Sequence, residues 1–459
     1  MEITRRAVLG GLASLPFFNA PAGAAAPALT AGQALAQIAP DGYDPTPVWC
    51  YDGAVPGPEI RVRQGDRVSR VLRNKLPDDT AVHWHGIRID NAMDGVPGLT
   101  QNAVKPGQDF LYDFAVPDAG TYWYHSHNRS MEQVARGLAG PLIIEEPDTD
   151  APDVDHDVTL MLDDWRLDPE TAKIAPFGNF HDLSHAGRIG NIVTVNGQFG
   201  WSMPVRRLDR LRLRIINGAN ARVFRLRLKG LEGWIAALDG MPLNRPAPAT
   251  IDLDMAPAQR IDLIVDVTAE VGEMADLVSL ERDGGYAVAG FRVGAGAGQT
   301  RRAAPAALPP NPVADPGDPA RAPLISLQMQ GGAMRGLGPT RHKGELRAGR
   351  DLMQSGQFWS LNGQAGLDDA PLVDLAQGEV RRIALINDTM FPHGIHLHGH
   401  HFHVMNADGS AGVLRDTVLV APGETRQVLL VADNPGDWLL HCHMLGHAMS
   451  GMNTWFRVT

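Results

Sequence analysis

The chain reads as an all-β protein made of three tandem copies of one domain. Two observations carry that expectation. The first is a spacing repeat. Gly65, Asn74 and His83 follow one another at intervals of nine residues, and so do Gly378, Asn387 and His396. Further on, Pro106-Gly107 leads through Gly120 to His125, and Pro422-Gly423 leads through Gly436 to His441 with the same spacings. Agreement over a stretch this long indicates a duplicated unit. The second is the local pattern: "EIRVRQGDRVSRVLRN" and "RLRLRII" alternate side-chain character with period two, the mark of half-buried strands. Fifty Gly and 34 Pro among 459 residues punctuate them with turns.

A middle copy lies between the two. In "VNGQFGWSMPVRRLDRLRLRIINGANARVFRLRL", Asn217 is followed nine and eleven residues later by Leu226 and Leu228. The outer copies carry histidine at both offsets. At about 100–200 residues per domain, the expected layout has domains at 27–150, 151–297 and 323–459. A linker at 298–322, rich in Ala, Pro and Gly, is expected to be a surface excursion with little regular structure.

Residues 1–26 read as an export leader. Arg5-Arg6 precedes "AVLGGLASLPFF", too short to span a membrane as a helix, and then small residues suited to signal peptidase. A twin arginine in this context is expected to use the twin-arginine export machinery and to deliver the protein to the periplasm. No later segment reads as a membrane anchor. The net charge of −11 gives no support to nucleic-acid binding. With only Cys50 and Cys442 present, one disulfide is the maximum, and Cys50 reads as a small buried hydrophobe.

Ten of the 17 histidines fall in four compact motifs. They are "HWHG" (His83, His85), "HSH" (His125, His127), "HGIHLHG" (His393, His396, His398) and "HCHMLGH" (His441, His443, His447). On a strand, residues i and i+2 face the same way, so each His-x-His pair aims two imidazoles together. Imidazole suits Zn, Cu, Fe and Ni alike. The C-terminal motif discriminates. Cys442 must face away from His441 and His443, free to join His393 and His447, with Met452 as a weak fourth ligand. Two histidines, a thiolate and an axial methionine describe a blue-copper electron-transfer centre. Structural zinc favours four firm ligands, and iron–sulfur clusters need more cysteines.

The four motifs, their order and the threefold repeat resemble the multicopper oxidases, laccase-like blue oxidases of three cupredoxin (Greek-key β-sandwich) domains. "RGLAGPLIIEE", residues 136–146, is similar to the bacterial members. The resemblance implies type 1 copper on His393, Cys442 and His447, with Met452 axial. It implies type 2 copper on His83 and His396. One type 3 copper would take His85, His125 and His443; the other would take His127, His398 and His441. Electrons from a small reducing substrate would enter at the exposed edge of a type 1 histidine, usually His447, and pass through Cys442 to a site reducing O2 to water. Asp94, in "DNAMDGVPG", matches an acidic residue that supplies protons in bacterial relatives; a turn-forming Asp before Gly95 is the plainer alternative. One departure stands out. Several relatives carry Glu directly after the last type 1 histidine, where this chain has Ala448.

The expected substrates are phenols and aromatic amines. A cuprous or ferrous metallo-oxidase is the close alternative, drawn from Met390, Met444 and Met449 near the site in sequence and from Met329 and Met334, since thioethers suit Cu(I). A non-catalytic copper-binding scaffold and a copper nitrite reductase are disfavoured, because every ligand position is filled and the type 3 pairs are present. His400, His401 and His403 are expected to pack or hydrogen-bond behind the ligands. His181 and His185, four apart in "HDLSH", are expected to lie in an exposed loop without metal.

Overall fold

The computed structural model describes residues 26–147, 149–250, 252–296 and 300–459; the leader falls almost wholly outside them. Strand accounts for 48% of the described residues and helix for 7%, so the all-β expectation holds. The strands form paired sheets, repeated along the chain. A four-stranded sheet (Thr46–Tyr51, Ala28–Ala36, Arg67–Asn74, Asp109–Ala115) faces a second (Ile60–Arg63, Ala139–Glu145, Gly120–Ser126, Val82–His85). Beyond residue 155 a six-stranded and a five-stranded sheet form the middle unit, and the same combination recurs after residue 323.

The repeat is visible in single residues. Asn74 and Asn217 each end a strand, Asn387 stands one residue before the end of its own, and each side chain makes the same clip. Its Oδ1 accepts from the backbone N–H two residues on (Leu76, Ala219, Thr389), while its Nδ2 donates to a carbonyl on a remote segment (Val104, Met255, Val420). An Asx turn of this kind ends a strand without leaving a buried donor unpaired.

The cores divide unequally. One continuous apolar cluster runs through the first and third units, from Leu29 to Val458, whereas the middle unit keeps its own, built on Leu160, Leu213, Leu226 and Leu263. The outer units are thus packed face to face, and the histidine strands lie where they meet. Among the described residues, the segment between Gly294 and Leu324 has little regular structure, only the 3-10 turn Pro319–Arg321. It is not a loose excursion, however. Leu308 is buried, and Asn311 pairs with both the N–H and the C=O of Ala119, at 2.9 and 2.8 Å. Cys50 is buried and free, among Ile38, Val48 and Trp165.

Candidate metal centres

Strand register brings the histidines together. Val82–His85 pairs with Gly120–Ser126 so that His83 stands opposite His125. His393–Leu397 pairs with Gly436–Cys442 so that His396 stands opposite His441. The two His-x-His strands then meet head to tail across the interface. His83 stacks on His398 with ring centroids 3.8 Å apart, and His85 on His396 at 3.7 Å. Ligating atoms gather within 4.8 Å of one another in His83/His85/His396, in His85/His125/His443 and in His127/His398/His441.

Hydrogen bonds set which nitrogen each ring offers. His83, His125, His396 and His441 donate from Nδ1 to the carbonyls of Asp94, Ser126, Asp416 and Cys442, at 2.8 to 3.0 Å. His398 donates from Nδ1 to the Asp94 carboxylate at 3.0 Å. Each therefore turns a bare Nε2 lone pair inward. The Nε2 atoms of His398 and His441 lie 3.2 Å apart. Two acceptors at that distance repel unless a cation sits between them. The Nε2 atoms of His83, His127 and His396 and the Nδ1 of His85 are buried without any protein partner among the described residues. Buried orphan nitrogens of this kind are costly in a protein that holds nothing; as metal ligands they would be satisfied.

A second group, His393, Cys442 and His447, lies on the other face of the same strand. His447 donates from Nε2 to the His185 carbonyl at 2.6 Å, and His393 donates from Nε2 to Thr389 Oγ1 at 2.8 Å. Their bare Nδ1 atoms face each other at 3.1 Å, with Cys442 Sγ 3.5 and 3.7 Å away. Again the acceptors converge on a space that suits a cation. Burial pushes the Cys442 thiol up to about 12, so it gives up its proton only to a metal. Met452 is buried, and its backbone bonds to both Cys442 and His447.

Nine of the ten motif histidines are held below the ordinary imidazole range, first by burial and then, for most, by neighbouring histidines. Neutral imidazole is the form that binds metal.

Asp94 is fully buried at the end of the 3-10 turn Asn91–Met93. It joins a turn to the site: its carbonyl holds His83 and its carboxylate holds His398. His400, His401 and His403 donate to the carbonyls of His398, Asp239 and Gly412.

Two expectations are corrected. His181 does not lie in a loop, and His185 is the residue that ends a helix. Asn179 caps a helix at Phe180–Ser184, and the two rings stack at 4.0 Å. Nor does His447 offer an exposed edge. It has no exposed surface, because that helix seals it through the His185 carbonyl and Trp359 lies over its ring at 4.3 Å.

Several contributors escaped the sequence reading. Asp416 is buried against Arg260, 2.6 Å from its Nη2, and lies 3.3 Å from His85 Nε2. Burial alone would raise its pKa, but Arg260 and His85 hold it well below the usual carboxylate range. Its one sequence signal is a charged pair, Arg415-Asp416, breaking the apolar run "VLRDTVLV". Thr389 and the His185 carbonyl carry no signal at all.

The comparisons agree with this geometry. Three family models, each described as multicopper oxidase, match residues 34–149, 156–283 and 343–459. The chain is 33% identical over 438 residues to multicopper oxidase MmcO of Mycobacterium tuberculosis, spanning 88% of this chain and 82% of that protein. It is 28% identical over 539 residues to copper resistance protein A of Pseudomonas syringae pv. tomato, spanning 87% and 88%. The crystal structure of Lac15 from a marine microbial metagenome superposes with a TM-score of 0.78 at 45% identity, over 95% of this chain and all of that one. The chain belongs to the multicopper oxidases, copper-dependent oxidoreductases that couple a reducing substrate to O2.

Proposed function

We propose that the chain is a laccase-like oxidase holding about four coppers. His393, Cys442 and His447 would form the type 1 site with Met452 axial. His83 and His396 would hold type 2 copper. His85, His125 and His443 would hold one type 3 copper, and His127, His398 and His441 the other. The observation that carries the reading is the pairing of bare lone pairs, His393 against His447 and His398 against His441, in two groups joined by one strand. When bound, copper supplies the redox chemistry: single electrons are taken from the substrate and four reduce O2 to two waters.

The protein's own residues do the rest. Cys442 and its neighbours His441 and His443 link the two groups through a short run of backbone. Asp94 holds the Nδ1 proton of His398 and is placed to relay protons toward the cluster, and Ala448 leaves that task without a carboxylate at its own position. Since His447 is sealed, electrons enter across the cover formed by Phe180–Ser184 and His185.

That cover also supports a second reading, oxidation of Cu(I) or Fe(II). Met329 and Met444 are core residues, but Met334, Met390 and Met449 are exposed. Each borders the cover in sequence or contact. Ala333 N–H donates to the Ser184 carbonyl, the Phe391 ring beside Met390 lies 5.7 Å from the His185 ring, and Ser450 Oγ donates to the Leu183 carbonyl. Thioethers here would suit a soft cation. Copper resistance protein A, among the relatives, carries copper handling in its name. We also assign the chain to the periplasm, exported by the twin-arginine route. No helix of the described residues is long and apolar enough to cross a membrane.

The test is a comparison of turnover on dimethoxyphenol, Cu(I) and Fe(II) with the copper-loaded protein. Laccase-like function predicts the highest kcat/KM for the phenol. A preference for Cu(I) that Met334, Met390 and Met449 substitutions abolish would select the second reading. Absence of O2 consumption with any donor would refute both.

A further inference from the structure

His85 is turned the opposite way from its neighbours. His83, His125, His396, His398 and His441 are each tied at Nδ1 and offer Nε2. His85 is tied at Nε2, 3.3 Å from Asp416 Oδ1, and it is Nδ1 that lies buried and unpartnered. A ring reversed in this way needs an acceptor fixed at its far edge, and Asp416 is the nearer one, with Thr417 Oγ1, itself donating to Asp416 Oδ1, at 3.5 Å.

Asp416 is itself held from outside its own repeat. Arg260, on the middle-unit strand Arg260–Val267, is fully buried, and its guanidinium has five N–H donors. All have partners. Nε donates to the Thr121 carbonyl, and Nη1 to the Ala258 carbonyl and Asp416 Oδ1. Nη2 donates to the Asp239 carbonyl and Asp416 Oδ2. Asp239, also from the middle unit, in turn takes Arg415 Nε at 2.8 Å. Thr121, Arg260 and Asp416 come from the first, middle and third units, so the fork fixes all three at one point. Gly86 leaves the room for it: a Cβ there would lie 2.3 Å from Arg260 Nη2.

We propose that Arg260 and Asp416 are positioning residues that lock His85 with its proton on Nε2, so that Nδ1 is the atom offered to the metal. The middle unit, which carries none of the four histidine motifs, thereby takes part in assembling the dioxygen site. The proposal rests on the ligand assignment above, but the tautomer can be read without any metal.

Removing one partner alone would strand a buried charge and risk unfolding. Two double variants avoid this. Arg260→Met with Asp416→Asn removes the ion pair but keeps an acceptor for His85. Arg260→Met with Asp416→Leu removes both. A neutron structure of the metal-free wild-type protein should show the His85 proton on Nε2. The Leu variant should lose that preference and bind copper 10–100-fold more weakly at the type 3 pair, with part of the magnetically silent copper becoming visible by electron paramagnetic resonance. The Asn variant should restore both. A proton on Nδ1 in the wild-type protein would overturn the proposal even if copper loads normally. So would equal copper affinity and spectra in the two variants. If the wild-type protein shows the Nε2 proton but takes up no copper, the ligand assignment fails and the tautomer lock stands.

Discussion

The middle repeat and the third repeat place the same strand in the same setting and fill it with different chemistry. Phe224–Lys229 runs between Leu253–Met255 and Met274–Glu281, and His393–Leu397 runs between Thr417–Val420 and Gly436–Cys442. In the middle repeat Leu226 stands opposite Leu253 and Ser279; in the third, His396 stands opposite Thr417 and His441. The asparagine clip is common to both. The backbone is therefore indifferent to whether it carries a leucine core or a metal site, and a few side chains on two strands decide. The polar interiors differ too. The middle repeat buries arginine–carboxylate pairs, Arg212 with Asp262 and with Glu146 at the end of the first unit, and Arg210 with Asp266. The outer repeats bury neutral histidines.

If side chains alone make the difference, removing one should erase the chemistry and spare the scaffold. Cys442→Ser should abolish the blue colour and lower turnover by more than about 10³-fold while strand content by circular dichroism is unchanged. Retained oxidase activity would refute the electron route. Asp94→Asn should slow O2 reduction by about 10²–10⁴-fold. Anaerobic bleaching of the blue colour by donor, followed in a stopped-flow instrument, should keep its rate; equal slowing of both steps would make Asp94 structural.

Acid should separate the repeats. The outer histidines are depressed below the value of about 6.5 that they have in the unfolded chain, His447 to about 4. The unfolded chain then binds more protons, so their contribution is complete above about pH 6.5 and is lost as pH falls from there, for His447 toward about 4. Each titrating histidine costs about 1.4 kcal/mol per pH unit. In the middle repeat, burial raises the pKa of Asp157 but its bonds to Arg214 outweigh it and leave the group lowered. That contribution persists above the carboxylate range and is lost only as pH falls through it. Hydrogen exchange on metal-free protein between pH 7 and 5 should therefore show the outer repeats losing protection first. Simultaneous loss would contradict the contrast. The smallest expected effect is on potential. Met452→Leu removes a weak donor that favours Cu(II), so redox titration should show the type 1 potential rising; a fall would count against Met452 as the axial ligand.

Much of the site was legible because it obeys local rules. The period of two separates Cys442 from His441 and His443, and the repeat spacing aligns His83 with His396 before any coordinates. What escaped lies in contacts between distant segments or in backbone atoms. Asp416 meets Arg260 across 156 residues, and His447 meets the His185 carbonyl across 262. A carbonyl has no residue type to betray it, and an Arg or Asp on a strand reads as solvated until its partner is known. The sealed His447 follows from the same limit, since the helix that covers it belongs to another repeat. The fold of each copy was visible for the opposite reason: turns, clips and alternation are written within a few residues of where they act.

The central claim is that two groups of inward lone pairs hold one isolated copper and a three-copper cluster. Its most direct test is metal content per chain measured beside quantitative electron paramagnetic resonance on the same oxidised sample. The account predicts a blue protein with about four coppers, about half of them visible as one type 1 and one type 2 signal and the rest silent as a coupled pair. A colourless protein, a zinc-loaded one, or a single visible copper with no silent partner would contradict it.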